Sequence, residues 1–152
     1  MIEVKDLIGT WHLESWTIAY SDRDELSNPF GEDPQGLLLY SAEGWMSASI
    51  CHAERPRFPA EQSPRRVDDG PKAEAFSSYF HYAGRYKLSG GDVIHYVTQS
   101  LNPNFPGTEQ LRHAELDGQT LVLSGKDEVA GVTRFHVLVW HRAEALELDS
   151  AD

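Results

Sequence analysis

The sequence predicts an all-β protein, an eight-stranded antiparallel up-and-down barrel with one short helical insertion. Short segments of strand-forming residues run through most of the 152 residues. Turn signals such as Asp117-Gly118 join most of these segments as consecutive hairpins. Antiparallel strands that bury one face lose their exposed edges when the sheet closes on itself. A closed barrel of this size holds either packed side chains or one small ligand.

The first half of the chain supplies three strands and the insertion. Residues 9–20 are rich in Trp, Leu, Ile and Tyr, whereas residues 21–35 are rich in Asp, Asn, Pro and Gly and predict a long loop. The next two strands form a hairpin through Ser41-Ala42-Glu43-Gly44. Residues 52–70 contain three prolines and predict an irregular segment. Pro71 suits the first position of a helix that continues over 72–81, with Ala73, Phe76 and Phe80 on one face.

The second half supplies five strands separated by turns. The turn signals are Ser89-Gly90-Gly91-Asp92, the Asn-Pro and Pro-Gly pairs in residues 101–107, and Asp117-Gly118. The eight predicted strands are residues 9–20, 36–40, 45–51, 82–88, 93–100, 108–116, 120–124 and 132–142. Residues 143–152 carry acids and no base, which predicts a solvated, partly frayed tail. We expect one domain over residues 1–152, with residues 52–82 as a rim or lid.

Charge and composition narrow the partners and the location. The chain has 13 Lys+Arg and 24 Asp+Glu, a net charge of −11, which argues against nucleic acid as a partner. One cysteine, Cys51, cannot form an internal disulfide and suits a reducing compartment. No secretory signal and no apolar run of about 18 residues is visible. We therefore expect a cytoplasmic protein without a membrane partner.

The sequence shows none of the common cofactor or metal signatures. The seven histidines form neither His-x-His nor His-Glu-x-x-His, so no metal site is predicted. The glycines form neither Gly-x-Gly-x-x-Gly nor a phosphate-binding loop, which argues against a nucleotide. We expect no cofactor.

Alternation along the strands assigns several polar side chains to the interior. Arg112 shares a face with Gln110 and Ala114, so it points inward, either to a structural partner or to the anion or carbonyl of a ligand. Tyr86 points inward because Arg85 and Lys87 share the opposite face. His95 lies in an apolar strand. It is either a buried neutral imidazole or, with a reference pKa of about 6.5, a general acid or base.

Several motifs resemble one family over nearly the whole chain. Gly9-Thr10-Trp11 begins the first strand and Arg142 ends the last. Residues 31–40, 44–48, 82–86, 102–107, 110–112 and 140–142 continue the resemblance in order. Together they resemble the lipocalin-like domain family of bacteria and fungi, within the calycin superfamily. The resemblance implies a barrel closed at one end by Trp11 with Arg142 stacked on it, and it favours Tyr40 and Ser47 as cavity residues.

Three functions are compatible with these features. The first hypothesis is binding of a small apolar or aromatic molecule, with Tyr82 near the rim and a small polar set in the cavity. The candidate ligand-binding residues are Tyr40, Ser47, Tyr82, Tyr86, His95 and Arg112. The alternative is a cofactor-independent isomerase, cyclase or hydrolase, with His95, Arg112 and Tyr86 as the candidate catalytic residues. A filled barrel, without a cavity of about 300 Å³ or more, would indicate a structural or partner-binding domain. A homodimer is a possible assembly.

Overall fold

The computed structural model describes residues 1–148, which form a closed barrel of eight antiparallel strands with one additional strand. The elements are α1 (Val4–Leu7), β1 (Gly9–Tyr20), β2 (Arg23–Ser27), β3 (Gln35–Tyr40), β4 (Trp45–Cys51), a 3-10 turn (Pro64–Arg66), α2 (Asp69–Ser77), β5 (Tyr79–Ser89), β6 (Asp92–Ser100), β7 (Glu109–Asp117), β8 (Thr120–Val129) and β9 (Val132–Arg142). The all-β barrel predicted from the sequence is confirmed. Residues 143–148 of the predicted tail have no regular structure, and Asp149 and Asp152 lie outside the described residues.

Strand β1 closes the barrel because it pairs on both edges. One edge pairs with β9, from Trp11 opposite Arg142 to Tyr20 opposite Arg134. The other edge pairs with β3 near its start and with β2 near its end. Between these two pairings Trp16 packs edge-on against Phe30 of the following loop, with ring centroids 5.3 Å apart. This part of β1 therefore borders the interior where the β1–β3 ladder is interrupted.

One end of the barrel is closed by α1 and a stacked arginine. The Trp11 indole is fully buried and donates from Nε1 to the Leu7 carbonyl at 2.9 Å. The Arg142 guanidinium lies 4.1 Å from the centroid of that indole. It also donates to the carbonyls of Ile8 at 3.0 Å and Asp6 at 2.6 Å. The predicted contact between Trp11 and Arg142 is confirmed, and its cation–π stack stabilises the closed end.

Three local predictions were wrong. Strand β2 lies inside the segment predicted as a loop, because its exposed, mostly polar residues extend β1 as a hairpin without an apolar pattern. The predicted helix over 72–81 is instead Asp69–Ser77, and Phe80 belongs to β5, where it pairs with Ile50. Strand β8 continues to Val129, beyond the predicted end at residue 124. Sheet pairing in each case overrides the local pattern.

Candidate functional site

The barrel encloses a cavity of about 210 Å³. Most of its wall is apolar, including Trp16, Ile18, Ile50, Phe80, Leu123 and Leu138. Its polar lining consists of Tyr82, His95, Gln110, Arg112, Asp127, Arg134 and His136. The volume is below the bound of about 300 Å³ that typical ligand pockets reach. The criterion drawn from the sequence, a cavity of at least about 300 Å³ for ligand binding or catalysis, is therefore not met in this conformation. That bound is too strict for a ligand of one ring, because a cavity of roughly 150 Å³ admits benzene.

Alternation on β5, β6 and β7 brings the central polar side chains together. Inward residues alternate with outward ones on each strand, and the inward set includes Tyr82, His95 and Arg112. His95 pairs with Gln110 across the β6–β7 ladder, and Val93 pairs with Arg112. Because paired residues point to the same face, His95 and Arg112 both reach the cavity, and alternation had predicted the inward direction of Arg112.

His95 is held between two tyrosine hydroxyls. Its Nε2 lies 2.7 Å from the Tyr40 hydroxyl, and its Nδ1 lies 2.6 Å from the Tyr82 hydroxyl. The imidazole is only 1% exposed. Burial, with a smaller effect of the Arg112 charge, lowers the pKa of His95 to about 3. Burial also raises the pKa of both tyrosines.

This geometry favours a neutral, structurally engaged histidine. A general base near pH 7 needs a pKa close to that pH and a nitrogen free to reach the substrate proton. His95 has both nitrogens bound and a pKa of about 3. Of the two alternatives left open by the sequence, the buried neutral imidazole is the one that these contacts support.

Arg112 lies at a gap in the barrel wall. Strands β7 and β8 pair only from His113 opposite Ser124 to Asp117 opposite Thr120. Beyond that point the Arg112 guanidinium donates to the Leu111 carbonyl at 2.9 Å, beside Gly125. A Cβ at Gly125 would lie 2.8 Å from the Arg112 Nη1 and 3.0 Å from the Leu111 carbonyl oxygen, so a side chain there would displace the guanidinium. None of the ion pairs formed within residues 1–148 includes Arg112.

Three of the six predicted ligand residues do not line the cavity. Tyr40 is buried behind it, with its hydroxyl bound to His95. Tyr86 points inward and packs on Tyr40, but its hydroxyl donates to the Ser41 carbonyl at 2.6 Å. Ser47 lies on the outward face of β4, between the buried inward residues Met46 and Ala48. The structure therefore brings Tyr40, Tyr82, His95 and Arg112 together and leaves Ser47 outside this group.

The cavity also contains a second group of hydrogen-bonded polar side chains, which was not predicted from the sequence. The Trp16 indole donates to His136 Nδ1 at 3.1 Å, so His136 carries its proton on Nε2 and donates to Asp127 at 3.2 Å. Arg134 donates twice to the same carboxylate, at 2.8 and 2.6 Å, and holds the pKa of Asp127 below its usual range. Burial lowers the pKa of His136. Asp127 pairs directly with Arg134 across β8 and β9. This ion pair was not predicted from the sequence, because the predicted β8 strand ended at residue 124.

Comparison with known proteins agrees with this architecture. A family model described as a lipocalin-like domain matches residues 8–143, which is most of the chain. No curated protein matches the sequence.

No helix within residues 1–148 is long and apolar enough to cross a membrane. Over the same part of the chain, no group of three or more His, Cys, Asp or Glu side chains is arranged to hold a metal ion.

Proposed function

We propose, because this chain belongs to the lipocalin-like domain family, that it binds a compact apolar or aromatic molecule inside its barrel. The observation that carries the proposal is the cavity of about 210 Å³, with a largely apolar wall and a small polar group at one side. Such a combination is typical of small-molecule sites, where apolar contacts supply affinity and a few polar groups fix orientation.

The cavity volume restricts the ligand to about one ring. An apolar cavity of roughly 150 Å³ holds benzene, so a space of about 210 Å³ accommodates one ring with a short substituent. Trp16 and Phe80 present aromatic surface to this space, and their ring centroids lie 6.1 Å apart. Aromatic pairs prefer edge-on or offset contacts, so a ligand ring in this space would pack against either side chain in that way.

Binding accounts for the polar group better than the enzymatic alternative does. The cofactor-independent reaction considered from the sequence needs His95 to move a proton, and both of its nitrogens are engaged by tyrosines. The hydroxyl of Tyr86, the third candidate for catalysis, donates its proton to the Ser41 carbonyl. We therefore assign Arg112 and Tyr82 to ligand orientation.

Native mass spectrometry of the protein purified from its own cells tests the proposal and identifies a retained ligand. A matched pair of variants on β4 tests the location. Ala48→Leu adds bulk at a cavity-lining position, whereas Ser47→Leu adds the same side chain on the outward face. We expect the wild type and Ser47→Leu to bind a single-ring compound such as toluene, and Ala48→Leu to lose that binding. Equal binding by both variants, or no binding by the wild type, would contradict the proposal.

Two further expectations belong to the proposal. The free thiol of Cys51 is consistent with a reducing, cytoplasmic location. A homodimer would use the outer face of β3, β4 and β5, three strands without Asp or Glu in a chain of net charge −11. That face exposes Leu37, Leu39 and Trp45. Sedimentation of the wild type and Trp45→Glu tests this assembly, since a charge on this face should dissociate a dimer.

A further inference from the structure

The buried hydrogen bonds of Tyr40 determine which nitrogen of His95 carries the proton. Tyr40 is 2% exposed, and among residues 1–148 its hydroxyl has a single hydrogen-bond partner, His95 Nε2. If Nε2 carried the proton, the Tyr40 hydroxyl would accept that bond and its own proton would be buried without an acceptor. An unsatisfied buried donor is strongly unfavourable. Either tautomer leaves one tyrosine hydroxyl proton without an acceptor among residues 1–148, and of the two tyrosines only Tyr82 lines the cavity, where a bound molecule or solvent can accept the proton. The Tyr40 hydroxyl therefore donates to Nε2.

The same reasoning determines the hydrogen bond on the other side of the ring. A neutral imidazole with an accepting Nε2 carries its proton on Nδ1, so Nδ1 donates to the Tyr82 hydroxyl oxygen at 2.6 Å. The Tyr82 hydroxyl proton is then free, and no acceptor within residues 1–148 lies within hydrogen-bond distance of it. Tyr82 is 4% exposed and lines the cavity. Its free proton is thus available to a bound molecule.

Arg112 supplies a second donor group to the same space. Its guanidinium lines the cavity, and its charge partly offsets the effect of burial on the pKa of Tyr82. Asp127, an acidic residue that lines the cavity, is already bound by Arg134 and His136. An anion that entered the cavity would therefore meet a hydroxyl donor and a guanidinium that is not paired with a carboxylate of residues 1–148.

We infer that the cavity selects a compact carboxylate, whose two oxygens accept hydrogen bonds from Tyr82 and Arg112 while its apolar body lies against Trp16 and Phe80. The inference rests on the proposed function and names its ligand class. A carboxylate fits better than a neutral carbonyl because it has an oxygen for each donor, and charge-assisted hydrogen bonds are the stronger ones. His95 acts here as a positioning residue that directs the Tyr82 proton toward the ligand.

Binding of three probes of similar size tests the inference. Benzoate, benzamide and toluene share one ring and differ in charge and in hydrogen-bond acceptors. We expect the wild type at pH 7 to bind benzoate at least about tenfold more tightly than benzamide, because only benzoate offers two anionic oxygens. Arg112→Met should weaken the binding of benzoate about 10- to 100-fold relative to that of toluene. Tyr82→Phe should weaken benzoate about 5- to 10-fold, whereas Tyr96→Phe on the outer face should have no effect.

The outcomes separate this inference from the proposed function. If toluene binds and benzoate binds no better than benzamide, the carboxylate inference fails and the binding function stands. If none of the three probes binds, the proposed function fails as well. Long-range proton–nitrogen NMR spectra give an independent readout, since they distinguish the two imidazole tautomers. We expect the proton of His95 on Nδ1, and a proton on Nε2 would overturn the role assigned to the Tyr82 hydroxyl.

Discussion

Lowering the pH should destabilise the barrel through the buried imidazole of His95. In the folded protein, burial lowers the pKa of His95 to about 3, whereas an exposed histidine in the unfolded chain has a pKa of about 6.5. Between these values the unfolded state binds a proton that the folded state excludes. The free energy of unfolding therefore rises with pH in this window, and the contribution of His95 is lost as the pH falls below about 6.5.

The size of the effect follows from the width of that window. Each pH unit between the two pKa values changes the free energy of unfolding by about 1.4 kcal/mol. From pH 6.5 to pH 4.5, His95 alone should remove roughly 2 kcal/mol, a large part of the stability of a typical domain. Burial also lowers the pKa of His136, which adds to the loss in the same direction.

Urea unfolding followed by tryptophan fluorescence, repeated from pH 7 to pH 4.5, measures this effect. His95→Gln keeps an amide that can donate and accept between the tyrosines, but it cannot titrate. We expect this variant to be less stable at pH 7 and to show a flatter pH dependence than the wild type. His113→Gln is the control of opposite sign: a hydrogen bond to Asp92 raises the pKa of His113, so its contribution is present at low pH and lost as the pH rises. A constant difference between the wild type and His95→Gln across this range would refute the reasoning.

Three further substitutions test the packing. Tyr40→Phe leaves a buried imidazole nitrogen without its donor and should lower the free energy of unfolding by about 1–3 kcal/mol. The control Tyr96→Phe should change that free energy little, and equal effects of the two variants in urea unfolding would contradict this prediction. Gly84→Ala should destabilise by about 2–3 kcal/mol, since its Cβ would lie 1.9 Å from the Tyr96 carbonyl oxygen, and an unchanged melting temperature would show that β5 and β6 separate easily. Arg142→Leu removes the stack on Trp11 and two bonds to carbonyls, so calorimetry should show a loss of about 2–4 kcal/mol; a loss below about 1 kcal/mol would mean that the indole alone closes this end.

Most of the barrel could be predicted because its strands carry the local signals that strands need. Alternation and turn residues located β4, β7 and β9 to within about a residue of their ends. Strand β2 could not be found in the same way, because Arg23–Ser27 is largely exposed and is ordered by its pairing with β1. The helix was overextended because Phe80 continues the apolar spacing of the helix, although it pairs in the sheet with Ile50.

The sequence predicted that several polar side chains point into the barrel, but it did not predict the hydrogen bonds that these side chains form. Alternation correctly placed Arg112 and Tyr86 on the inward face, and the apolar strand around His95 indicated a buried side chain. The hydrogen bond between Tyr40 and His95 depends on the curvature of the closed sheet, which brings β3 across from β6, whereas Tyr82 lies on the neighbouring strand β5. No spacing along one strand encodes a contact that spans the barrel interior. The resemblance suggested Ser47, but the pleat of β4 turns this side chain outward.

The pairing of β1 with β9 has a consequence for how the chain folds. Most strand pairs join neighbours in sequence and can form early, whereas Trp11 and Arg142 lie more than a hundred residues apart. Loop-closure entropy therefore opposes the pairing of β1 with β9, and we expect this pairing step to set the folding rate. Before this pairing forms, β1 and β9 leave open edges on which chains can aggregate. A circular permutant that links β9 directly ahead of α1 and begins at Gly91 would turn this distant pairing into a local one. In such a chain the distant pairing becomes that of β5 with β6, so the slow step and the open edges should move to those two strands.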